Sequence, residues 1–135
     1  MFAYGGDNGT VQGFEHLLKS YDVTDELDEI ASADPPAYLR RCFAEALSAP
    51  RLTERRFQQV VACALVVDAV VHERDYPGLE PELIADWRTH YGLVFAQFKP
   101  AAIAALKRGQ AADSPLADSE AIAELGVLLQ HLATD

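Results

Sequence analysis

Basic residues are scarce in this 135-residue chain: 11 lysines and arginines face 21 acids, a formal net charge of −10. Binding phosphates needs a cationic footprint, so nucleic acid is excluded as a direct ligand. The same balance favours solubility and association with cationic partners. Cysteine is nearly absent too. Cys42 and Cys63 have neither a CxxC step nor a His/Cys cluster nearby, which removes the spacings that hold zinc. Each sits in an apolar helical pattern and reads as a small reduced core thiol. No apolar run approaches the roughly 18 to 20 residues that a bilayer requires. The longest, Val60 to Val71, is broken by Asp68 and flanked by arginines and a glutamate. The chain does not open with a basic n-region and an apolar h-region, which predicts no secretory signal and a cytoplasmic location.

Catalytic signatures are missing as well. There is no HEXXH, no GxSxG elbow and no Walker spacing, and neither cysteine adjoins a histidine. Gly5-Gly6-Asp7-Asn8-Gly9 lacks the lysine and the preceding strand of a phosphate loop, and Asp7 would repel the ligand. It reads as a turn that starts a helix. Asp68 and His72 lie four apart and share a helix face. A satisfied acid–histidine pair is the plain reading, and a metal-assisted hydrolase built on these two residues is the sharper alternative. His16, His90 and His131 stand apart and read as surface or boundary residues. No cofactor and no metal is expected.

What remains is abundant apolar residues at helical spacing. Half of the chain is hydrophobic, enough for the core of one domain spanning 1–135. Residues 1–9 read as an amino-terminal loop or arm. Val11, Phe14, Leu17, Leu18 and Tyr21 then recur at steps of three and four. Thr24 is a candidate cap for a short acidic helix bearing Leu27 and Ile30. Asp34-Pro35 is a stronger start, a capping acid followed by a proline at the first helical position. The stripe Tyr38, Leu39, Cys42, Phe43, Ala46 and Leu47 follows and stops before Pro50.

Thr53 opens the longest helix, about Glu54 to Glu73. Its apolar positions spread around more than one face, which implies a central helix with several neighbours. The many β-branched residues leave a buried strand as the rival for Val60 to Val71. Pro77-Gly78 marks a loop, and Pro81 starts a helix through Trp87 and Tyr91 that Gly92 is expected to end or kink. Pro100 begins a new helix or bends an existing one. Gly109 follows Lys107 and Arg108 as a helix terminus. Residues 109–117 form a loop before a last helix from about Asp118 to Leu132. The prediction is all-α: an irregular or orthogonal bundle of five to seven helices around the valine-rich one.

The charge is unevenly spread. Up to Asp34 there are eight acids against Lys19 alone, Arg40 to Arg56 holds five arginines, and no lysine or arginine follows Arg108. Asp22, Asp25, Glu26, Asp28 and Glu29 form the densest acidic segment and the candidate partner surface. With small size and no catalytic set, this suggests a non-catalytic binding protein, an immunity- or antitoxin-like inhibitor of a cationic partner. A structural homo-oligomer, pairing through exposed aromatics or the valine-rich helix, is the alternative. No membrane partner is expected.

Tyr4-Gly5 with Asp7-Asn8 and Phe14, Pro81-Glu82-Leu83 with Trp87, and Asp118-Ser119-Glu120 with Glu124-Leu125 are three segments that together resemble a bacterial family of unassigned activity, domain-of-unknown-function family 4259. Tyr4-Gly5, Asp7-Asn8 and Phe14 stand where that family has Trp-Gly, an acid-Asn step and a helix aromatic. Gly9 departs from its usual Asp, and the spacing between glycine and asparagine is shorter. Pro81-Glu82-Leu83 leading to Trp87 is similar to its Pro-Glu-Leu-x-x-Trp step. Asp118-Ser119-Glu120, with Glu124-Leu125, is similar to its Asp-Ser-Glu-Leu segment, although Ala121 replaces the leucine and Gly126 a common tryptophan. The resemblance implies a small helical bacterial protein and carries over no site residue.

Overall fold

Thr53 sets the start of the central helix. Its Oγ1 accepts a hydrogen bond from the Arg56 backbone N–H at 3.2 Å, satisfying one of the amides that a helix start leaves without an intrahelical partner. The computed structural model describes residues 23–50, 53–74, 79–108 and 119–133, with the backbone alone for 23–27, 54 and 119–122. Among these residues there are six helices and no strand: α1 (Val23–Ser32), α2 (Pro35–Ser48), α3 (Glu54–His72), α4 (Pro81–Ala96), α5 (Lys99–Arg108) and α6 (Ser119–Ala133). None is long and apolar enough to cross a membrane. The glycine-rich opening, the helix expected near Val11 to Tyr21, the Pro77-Gly78 loop and the connection 109–117 lie outside the described residues.

The valine-rich segment is helical, and α3 packs against all five other helices. Every residue from Val60 to Val70 is at most 1% exposed. This coverage explains why a β-branched run becomes a helix. Burying each valine contributes about 1.5–3 kcal/mol, whereas its weaker helix propensity costs less than roughly 0.7 kcal/mol. Cys42 and Cys63 are free and buried in the same core. Phe95 joins α4 to the turn that follows it, stacking on Tyr91 at 5.9 Å and touching Trp87 and Phe98 at 6.4 and 6.1 Å. Phe98 in turn reaches Phe43 of α2 at 6.3 Å.

Several local expectations change. Thr24 lies inside α1 instead of capping it. Helix α2 starts at Pro35 as anticipated, but Asp34 makes no side-chain capping bond. Leu47 leaves the buried stripe and is 42% exposed. Gly92 does not end α4, which continues to Ala96. The break belongs to Pro100, which has no N–H to offer the Ala96 carbonyl four residues earlier. Short bonds from Gln97 N to Val94 O and from Phe98 N to Phe95 O close α4, and Ala102 N to Phe98 O opens α5.

Two arginines distant in sequence satisfy helix-end carbonyls. Arg88 of α4 donates from Nε to Val70 O at 3.2 Å and from Nη2 to Ala69 O at 2.8 Å, at the end of α3. Arg108, the last residue of α5, donates to Ala46 O, to Ala49 O at 2.8 Å and to Pro50 O at 3.5 Å, at the end of α2. A guanidinium suits this place because its fixed fork reaches several acceptors and its charge meets the negative end of the helix dipole. Replacing Arg108 by Met leaves those carbonyls without their donor. Urea titration of Arg108→Met is expected to show a loss of about 2–3 kcal/mol, and a loss below half a kilocalorie would refute the capping role.

Candidate functional site

Asp68 is fully buried on α3, among several other ionisable side chains. Its Oδ1 accepts a hydrogen bond from His72 Nδ1 at 2.6 Å, one helical turn on. Its Oδ2 lies 3.0 Å from Arg74 Nε and 3.8 Å from His131 Nδ1 of α6. The Arg74 contact is close, yet Nε makes no hydrogen bond there, so the pairing is charge attraction without good alignment. On the far side of the His72 ring, Nε2 is 3.3 Å from Lys99 Nζ of α5.

These contacts assign the tautomer of His72. An ammonium donates and cannot accept, so Nε2 must be the acceptor and the proton sits on Nδ1, facing the carboxylate. The resulting line runs from the Asp68 carboxylate through the His72 ring to the Lys99 ammonium. It ties α3 to α5, while His131 brings in α6 and Arg74 the segment after α3. Burial chiefly holds the His131 imidazole below its ordinary titration range. The positive charge of Arg74 and the nearby His72 push the same way, and the attraction of Asp68 opposes them without cancelling them.

The arrangement offers little to an external substrate or ion. The His72 side chain is 9% exposed and that of Asp68 not at all. Both carboxylate oxygens already face nitrogen donors, and Arg74 and Lys99 would repel an incoming cation. No group of three or more His, Cys, Asp or Glu placed to hold a metal occurs among the described residues. A cleft of about 620 Å³ opens nearby between the end of α3 and the exposed side of α4, and neither Asp68 nor His72 lines it.

The acidic segment is placed less completely. Asp28 and Glu29 are exposed on α1, where the neighbouring Ile30 is fully buried and anchors the helix. Asp25 and Glu26 occupy the first turn of α1, and Asp22 lies outside the described residues. The arginines that follow have separate partners. Arg40 sits over the Phe98 ring at 5.8 Å, Arg41 over Tyr38 at 5.3 Å, and Arg56 pairs with Glu45.

Sequence spacing finds Asp68 with His72 because both lie on one helix. Lys99 and His131 come from other helices, and only packing brings them in. His131 is a boundary residue as expected, its side chain 24% exposed, and exposed His90 pairs with Asp86 at 3.2 Å.

Asp68→Asn removes the buried negative charge that faces His72, Arg74 and His131, and should cost about 3–5 kcal/mol in urea unfolding. A cost under 1 kcal/mol would refute the central role of that carboxylate. The lowered titration of His131 gives a second outcome with a defined sign. Its neutral form is favoured by the fold, so the stability it contributes is present above about pH 6.5 and lost as the pH falls through the lower folded value. His131→Gln should flatten the stability profile between about pH 7 and 5, and identical profiles for the two proteins would disprove this. No family model, no curated protein and no solved structure matches this chain.

Proposed function

We propose that the chain is a non-catalytic binding protein of the immunity or antitoxin type, which engages a cationic partner through the acidic side of α1. The observation that carries this reading is the exposed Asp28–Glu29 pair on a helix anchored by Ile30, in a chain of net charge −10. A firmly held acidic face speeds encounter with a basic target and penalises wrong partners. The likeness of Pro81–Trp87 and Asp118–Leu125 to family 4259 belongs to the same proposal, since it implies a small helical bacterial protein of unassigned activity and carries over no catalytic residue.

The alternatives have weaker support. A metal-assisted hydrolase at Asp68 and His72 would need a cation to settle against Arg74 and Lys99. A homo-oligomer pairing through the body of the valine-rich helix has weaker support, because the chain's own helices already cover Val60 to Val70.

The test is co-expression with a basic toxin encoded beside this chain, followed by association kinetics at low and physiological salt. Rescue of growth is expected, with an on-rate that falls as salt rises. Asp28→Lys combined with Glu29→Lys should slow association at least about tenfold. Failure to rescue, or association indifferent to both salt and charge reversal, refutes the proposal.

A further inference from the structure

Leu93 is 86% exposed in the middle of α4. Alone, an exposed leucine is ordinary. This one stands on the rim of the 620 Å³ cleft, whose apolar wall includes Val70, Val71 and Val94. Two charges of opposite sign line the same cleft. Arg88 is held in position because its Nε and Nη2 are tied to the end of α3, which leaves Nη1 for a further acceptor. Glu73 is exposed and adopts a left-handed backbone, φ 55° and ψ 45°, at the point where α3 stops. That conformation is strained for a residue other than glycine, and no ion pair joins Glu73 to Arg88 across the cleft.

One small surface therefore presents a knob, an apolar recess, a carboxylate and a guanidinium. The surface suited to all four is its own copy turned about a twofold axis. In such an isologous pairing residue i meets j and j meets i. Leu93 of each copy enters the other's recess, and Glu73 of each faces the other's Arg88. Charge also selects this face. Copies of a chain carrying −10 repel one another over most of their surface, and here Arg88 and Glu73 cancel locally.

We infer that this cleft and Leu93 form the interface of a twofold homodimer, with a second copy of this chain as occupant. The inference does not rest on the cationic partner proposed above, because it uses neither Asp28 nor Glu29. It is tested by sedimentation velocity of the full chain from micromolar to near-millimolar concentration. The wild type should move from monomer to dimer over that range. Leu93→Lys alters an exposed helical position and should leave the circular dichroism spectrum unchanged, while weakening dimerisation at least about tenfold. Glu73→Lys should weaken it as well, by setting like charges against each other. A wild type that stays monomeric throughout, or a dimer that tolerates Leu93→Lys, overturns the inference.

Discussion

A charge buried near the end of the most thoroughly covered helix governs this fold. α3 is enclosed on all sides by five helices, and Asp68 sits within that enclosure with no exposure. An ionised carboxylate in such a place is tolerable only if donors surround it. The chain supplies His72 from the same helix, Arg74 from just beyond it and His131 from α6, while Lys99 from α5 backs the His72 ring. Each has to be in place for the valine-rich helix to stay covered. The polar network therefore specifies which helices meet the end of α3, a selection that apolar contacts, being non-directional, make only loosely.

The arginine clamps act on the same principle at the helix ends. A helix finishing inside a bundle leaves carbonyls that water reaches poorly. Arg88 satisfies those of α3 from α4, and Arg108 satisfies those of α2 from α5. Both are partly buried, so their aliphatic stems pack while their heads bond. In an acidic protein with few bases, much of the positive charge has partners within the chain: exposed Arg40 and Arg41 lie on aromatic rings, and Arg74 and Lys99 flank Asp68 and His72.

Much of the architecture was legible from residue spacing, and what was not has physical causes. Thr53, Pro35 and Pro81 are local signals, and the helices begin where they stand. The width of the apolar surface from Phe57 to Val71 announced a central helix. Gly92 misled because glycine in a helix costs only about 1 kcal/mol, which packing on the Trp87 and Phe95 side of α4 offsets. Pro100 was the decisive residue, its missing N–H a harder constraint than an absent side chain. Two of the five members of the charged cluster, Asp68 and His72, could be read from their spacing of four. Lys99 and His131 lie 27 and 63 residues beyond their partners His72 and Asp68, and no periodicity along one helix encodes a meeting between helices.

The reach of Arg108 carries a consequence for how the chain matures. The carbonyls of Ala46 and Ala49 wait for a donor 62 and 59 residues downstream. At a translation rate of about 5–20 residues per second, α2 leaves the ribosome some 3 to 12 seconds before its own terminus can be closed. Over that interval the carbonyls of Ala46 and Ala49 have only water in place of the Arg108 guanidinium, and the nascent bundle is a partial assembly that α5 locks on arrival.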